Sequence, residues 1–117
     1  MGRFVRGDIV VVPFPLKEGG EKRRPALILA EVAYGGSSDY LVCMISSQND
    51  PNDQALIPIG HSDATGADFM ANDPDGCSYI RPSHLWTMVD AVALRKLDSL
   101  SVEKTDQALD HVRSLLA

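Results

Sequence analysis

The sequence is short of the features that would mark many common protein classes. It has two cysteines, Cys43 and Cys77, far apart and in no C-x-x-C pairing. Cys43 lies in the apolar run LVCMI, so a buried free thiol is expected, and neither a disulfide nor a metal role. No apolar run approaches the ~20 residues that span a bilayer. The opening MGRFVRGDIVVVPFP has a basic start, but Pro13 and Pro15 break its apolar part and no small-residue cleavage site follows. With Arg at position 6, the Met-Gly start makes a poor myristoylation signal. These absences predict a soluble, cytoplasmic protein without membrane association. Also missing are G-x-S-x-G, a phosphate-binding P-loop and G-x-G-x-x-G. The stretch Asp73-Pro74-Asp75-Gly76 lacks the spacing and final Glu of a calcium loop and reads as a turn. His61, His84 and His111 have no metal-ligand spacing, so no metal or other cofactor is expected.

Positive charge is scarce and unevenly placed. The net charge is -5, and no Lys or Arg occurs between Arg24 and Arg81. Residues 1–25 hold six basic side chains against three acidic, whereas the remainder holds five against 13. A general electrostatic nucleic-acid binder is basic overall. This chain can hold an anion only locally, near EKRRPALILA at 21–30 and Arg81.

What is present fits one domain over residues 1–117, mainly β, with a core large enough to need no staples. Gly7-Asp8 reads as a turn into a strand over Asp8–Val12, which Pro13 and Pro15 are expected to stop. Pro25 reads as the rigid entry to a strand at Ala26–Ala30, followed by a turn at Gly35-Gly36-Ser37-Ser38. Further strands are expected at Tyr40–Ile45, at Ala55–Ile59 with Pro58 marking an edge, at Ser78–Ile80 and at Leu85–Val89. Short strands at this spacing suggest a small antiparallel barrel. Residues 60–77 read as a polar surface loop. Ser101 is placed to cap a terminal helix, whose buried face would carry Val102, Thr105, Leu109, Val112 and Leu116. His111 is expected to be solvated between acids.

Four segments stand in order along nearly the whole chain: RGDIVVVPFP at 6–15, KRRPALIL at 22–29, YLVCMISSQ at 40–48 and SYIRPSHLWT at 78–87. Together they resemble the MazF/PemK-type toxins of bacterial toxin–antitoxin pairs. The resemblance implies an SH3-like antiparallel barrel with a C-terminal helix, and a homodimer. It implies metal-independent, sequence-selective cleavage of single-stranded RNA, and a small antitoxin partner through which alone the protein meets DNA. An antitoxin with basic segments, disordered until it docks, would suit the acidic surface.

The resemblance also implies roles for particular residues. Arg24, before Pro25, matches the family's catalytic arginine; a guanidinium scarcely loses its proton, so stabilising the transition state or donating a proton suits it better than acting as a base. Ser46 stands where the family usually has Thr, to bond the scissile phosphate. Ser47 and Gln48 match the following Ser-Gln, and the bland alternative for all three is a turn ending a strand. Arg81 matches an arginine of the PemK-like branch, but Ser83 stands where that branch has Asp. His84, next along, is an alternative titrating group or an ordinary strand-edge histidine. Lys22 and Arg23 would bind flanking phosphates, or are simply solvated charges. Tyr79 and Trp86 could stack on a base, with core packing the better expectation for Trp86. Two non-catalytic alternatives are a CcdB-like gyrase poison and a degenerate barrel that only binds RNA or antitoxin. CcdB-like action rests on a Trp-Gly-Ile ending, and this sequence ends Ser-Leu-Leu-Ala.

Overall fold

The computed structural model describes residues 3–15, 18–34 and 37–116; Lys17 and, of the turn expected at Gly35-Gly36-Ser37-Ser38, Gly35 and Gly36 lie outside the described residues, while Ser37 and Ser38 are strand, paired with Tyr34 and Ala33. Six strands run β1 (Asp8–Pro15), β2 (Glu21–Tyr34), β3 (Ser37–Ser46), β4 (Ile57–Ile59), β5 (Ser78–Val89) and β6 (Arg95–Ser99), and helix α1 (Val102–Leu116) follows. They form one antiparallel sheet in the order β4-β5-β3-β2-β1-β6. The sheet curls into a half-barrel, the mainly-β fold with a terminal helix that the sequence suggests. Part of the curl comes from β2, where Ile28 pairs with Val42 but Ala30 pairs with Leu41. One extra residue on β2 makes a bulge, which bends and twists the strand.

Both faces of the sheet are covered, which explains why the strands are continuous apolar runs instead of alternating ones. Ile9, Leu27, Leu29, Cys43, Ile45 and Ile80 pack with Ala108, Leu109 and Val112 of the helix. Val10, Val12, Ala26, Ile28, Tyr40, Val42 and Met88 pack on the other face with Phe4 and Ala93. Burial pushes the Cys43 thiol pKa up to about 12, so it stays protonated and inert.

Several boundaries differ from the expectation. β1 continues through Pro13 to Pro15, because its pairing with β6 ends at Val11 and beyond that point it is an edge. Pro25 lies inside β2 and pairs with Val11; it marks the place where the β2–β3 ladder, whose last pair is Ala26 with Met44, gives out. The two short strands expected between 78 and 89 are one strand. Cys43 pairs with Leu85 and Met44 with Arg81, so Pro82, Ser83 and His84 have no counterpart on β3. Ile57–Ile59 is the expected edge strand, and β6 is an element that the sequence reading omits.

Gly7 makes the expected turn into β1 with φ of +93°. The Ser101 hydroxyl caps α1 by accepting the Lys104 N–H at 3.3 Å. Thr105, Ala108, Leu109 and Val112 form the buried face. Val102 and Leu116, expected on that face, are 76% and 84% exposed, since they lie at the helix ends past the edge of the sheet. No helix among the described residues is long and apolar enough to cross a membrane.

The polar segment 60–77 is held more firmly than its composition suggests. The buried carboxylate of Asp98 on β6 accepts N–H groups from Gly66 (2.8 Å), Asp68 (3.1 Å), Phe69 (3.0 Å) and Ser99 (2.8 Å). His61 Nδ1 lies 2.6 Å from the Phe69 carbonyl, which seats Phe69 in the core. Gly66 is required here, because a Cβ would stand 2.8 Å from Asp98 Oδ1. Burial pushes the Asp98 pKa up, but the four N–H bonds outweigh it and the net shift is downward. A lowered folded pKa contributes stability above the unfolded value and loses it as pH falls through the folded one. Asp98→Ala strands several donors, each costing about 1–3 kcal/mol if left unpaired. Thermal melts at pH 7 should show a fall of roughly 10 °C for this variant. The gap to the parent should narrow as the pH is taken below about 3.9, the ordinary carboxylate value; an unchanged gap would show that the charge plays no part.

Candidate active site

At one end of the sheet the ladders stop and leave side chains facing outward from an otherwise covered surface. Arg24 is carried by the part of β2 that pairs only with β1, with Val12 as its partner. Strand alternation puts it on the face of Ala26 and Ile28. Continued two residues past Ala26–Met44, the β2–β3 register sets Arg24 across from Ser46. On the other side of β3, Met44 pairs with Arg81. Arg24, Ser46 and Arg81 thus come from three neighbouring strands.

They share a cavity of about 610 Å³, to which Gln48, Asn49, Asp50, Pro51, Phe14 and Met44 also contribute. Phe14 is fixed there by an edge-to-face contact with Trp86, ring centroids 5.3 Å apart. That contact holds Trp86 partly buried, in agreement with a packing role. Tyr79 is partly buried and pairs with Ser46 on the β3–β5 ladder.

The two arginines differ in their surroundings. Among the described residues the Arg24 side chain has no hydrogen-bond or ion-pair partner, which leaves the five donors of its guanidinium open. Arg81 is tethered: Nη2 lies 3.3 Å from Asp50 Oδ2, and Nε 3.5 Å from Asp53 Oδ2. Asp53 is the more buried carboxylate, its side chain 12% exposed against 38% for Asp50. Each also fastens its own loop, Asp50 by accepting the Asn52 N–H and Asp53 that of Ala55, both at 2.9 Å. The Ser46 oxygen accepts the Gln48 N–H at 3.1 Å, so Ser46 does close the strand-ending turn; its O–H remains able to donate.

The other sequence-predicted residues lie on either side. Lys22, Arg23 and Ser47 border a cavity of about 240 Å³ that shares Arg24 and Ser46 with the first and has Ile45, Phe69, Met70 and Leu97 in its walls. Ser83 and His84 border a third, of about 700 Å³, which shares Asp50 and Arg81 with the first. His111 of α1 lines this third cavity and is half-buried, not solvated, because the helix packs against β5 and turns that side chain toward it. The sequence reading also missed Asp50 and Asp53. Their signal was faint: two acids three apart in a polar loop, in a chain whose nearest lone arginine is Arg81. Among the described residues no group of three or more His, Cys, Asp or Glu is placed to hold a metal ion.

The arrangement offers one open and one tethered guanidinium, with a hydroxyl, in one cavity: an anion site suited to phosphate. If Arg24 is kept for a ligand and Arg81 also serves the loop, their removal should differ in stability. Chemical denaturation should place Arg24→Met within about 0.5 kcal/mol of the parent. Arg81→Met should cost about 1 kcal/mol or more, since it strands Asp53; equal losses would contradict the distinction.

Residues 5–116 match the family model described as PemK-like, MazF-like toxin of type II toxin–antitoxin system. Among solved structures, the chain is similar to MazE–MazF from Deinococcus radiodurans in two crystal forms. For Form II the TM-score is 0.70 at 18% identity, and for Form III 0.62 at 19%, each covering 97% of this chain and 95% of that one. An endoribonuclease in complex with its cognate antitoxin from a mycobacterial species aligns over 96% of both chains, with a TM-score of 0.60 and 17% identity. No functionally curated protein matches the sequence.

Proposed function

The chain belongs to the PemK-like, MazF-like toxins of type II toxin–antitoxin systems, and on that premise we propose that it is an endoribonuclease that cleaves single-stranded RNA sequence-selectively and without a metal ion. The observation that carries the reading is the unpaired Arg24 guanidinium in one cavity with Ser46 and Arg81. In this reading the ribose 2′-hydroxyl attacks the adjacent phosphorus, giving a 2′,3′-cyclic phosphate and a 5′-hydroxyl. Charge builds on the non-bridging oxygens, and donors already fixed in place lower that barrier. Arg24 offers a planar, bidentate grip on those oxygens, on a strand whose next residue is the rigid Pro25. The Ser46 O–H donates a further bond. Arg81 keeps donors in hand, since Asp50 and Asp53 engage only its Nη2 and Nε.

Lys22 and Arg23 contact flanking phosphates in this scheme, and Ser47 and Gln48 shape the strand's path. Ser83 and His84 contact RNA on the far side of Arg81. The natural inhibitor is a cognate antitoxin, as in the complexes with which the fold aligns, and the active form is a homodimer in the cytoplasm. DNA is reached only through the antitoxin.

Incubation with a long single-stranded RNA in EDTA, followed by mapping of the new ends, tests the reading. Cuts at a short recurring sequence with 5′-hydroxyl ends are expected, and Arg24→Ala should slow them by at least roughly 100-fold. Intact RNA, or cleavage indifferent to Arg24→Ala, would move the protein to the non-catalytic binders. Lys22→Ala with Arg23→Ala should leave the ends unchanged while flattening the slope of log affinity against log salt by about 1.4, or 0.7 for each phosphate no longer neutralised.

A further inference from the structure

The proposed reaction needs an acceptor for the 2′-hydroxyl proton, and neither Arg24 nor Arg81 can serve at neutral pH. Ser83, two residues after Arg81, is not an acid either. Resting on the ribonuclease reading above, we propose that Asp50 is that acceptor, a catalytic residue supplied by the loop after β3, and that Asp53 is a positioning residue that holds Arg81.

Two observations, cavity and exposure, separate the two carboxylates. Asp50 borders the cavity containing Arg24, Ser46 and Arg81, whereas Asp53 borders only the cavity beyond Arg81. The Asp50 side chain is 38% exposed and reachable by a ribose; that of Asp53 is 12% exposed. Asp50 faces Arg81 through Oδ2, and its Oδ1 takes the Asn52 N–H. Each carboxylate oxygen has a second lone pair, so both keep acceptor capacity for an O–H. Finally, Asp50 and Arg81 are common to both larger cavities and divide one from the other. A strand that runs between the cavities crosses this pair, which brings a phosphate to Arg81 and the neighbouring ribose to Asp50.

The step balances without a co-reactant. The 2′-O–H proton passes to Asp50, the 2′-oxygen forms its bond to phosphorus, and the bond from phosphorus to the 5′-oxygen breaks. The leaving oxygen takes a proton from water in the open cavity, and Asp50 returns its own to solvent. Asp53, at Arg81 Nε, fixes the guanidinium so that both Nη1 hydrogens and one on Nη2 remain for the phosphate.

Single-turnover cleavage of a short RNA containing the mapped site, in EDTA, tests this with Asp50→Asn, Asp50→Ala and Asp53→Asn. RNA affinity and thermal melting are followed for each. Both Asp50 variants should lose about 100-fold or more in rate while still folding and binding RNA, and Asp50→Asn, which keeps an oxygen for the Asn52 N–H, should keep the parent's melting temperature. Formate, a small carboxylate that fits the space left, should restore Asp50→Ala in a concentration-dependent way. Asp53→Asn should lose less, about 10-fold, with no rescue by formate. An Asp50→Asn rate within threefold of the parent would overturn the proposal while the ribonuclease reading stood. So would a folded, RNA-binding Asp50→Ala that formate does not restore. No cleavage by the parent chain would overturn both together.

Discussion

The site depends on where β2 changes from two pairing partners to one. At Ala26 and Leu27 β2 is the middle of the sheet, paired with both β1 and β3, and Ala26, Leu27, Ile28 and Leu29 are fully buried. Before Ala26 it pairs only with β1, and Pro25, with no N–H to give, sits at the change. A charge cannot be carried a residue or two further in, because burying an unpaired guanidinium costs several kcal/mol. Two residues before Ala26, Arg24 still has solvent on one side and an ordered strand behind it. The same ladder that forms the core therefore sets the reach and direction of the free guanidinium, and β3 and β5 bring Ser46 and Arg81 to it by register alone.

The electrostatics around this point are those of a small positive site in an acidic body. Of the cations that the fold brings here Arg81 is paired, with Asp50 and Asp53; elsewhere Arg3 is paired with Asp90 and Lys96 with Asp8. Arg24 has no such partner among the described residues, and neither do its neighbours Lys22 and Arg23. Under the proposed ribonuclease reading, a chain of this charge draws little of an RNA's length toward it and relies on contacts at the cavities, which favours selection by fit over general attraction.

Much of the fold was legible because the apolar runs and turn residues report local structure. DIVVV, ALILA and YLVCMI are strands as read, and Ser101 caps the helix. The errors at the prolines share a physical cause: whether a proline ends a strand depends on what lies alongside it. Pro13 and Pro25 are tolerated because a neighbouring strand has ended, and local sequence does not carry that information. At the site, Arg24, Ser46, Gln48 and Arg81 were found through their resemblance to known motifs and do converge. Asp50, Asp53 and His111 were missed, since a loop and a helix remote in sequence bring them in. Ser83 stands where the PemK-like branch has Asp, and the loop after β3 places two carboxylates, Asp50 and Asp53, against the same arginine.

The anchoring of the loop before β5 has one more consequence. Asp98 holds that loop by its main-chain N–H groups, and main chain is common to every residue but proline. Apart from Gly66, whose missing Cβ admits the carboxylate, Phe69 in the core and His61 against the Phe69 carbonyl, the grip is indifferent to side-chain identity. Met70, on the wall of the cavity beside Arg23, stands on this mount. Such a loop behaves as an interchangeable cartridge: its sequence can drift, or be rewritten by hand, and still be presented to the cavity in the same place, so relatives can diverge in the substrates they accept without rebuilding the barrel.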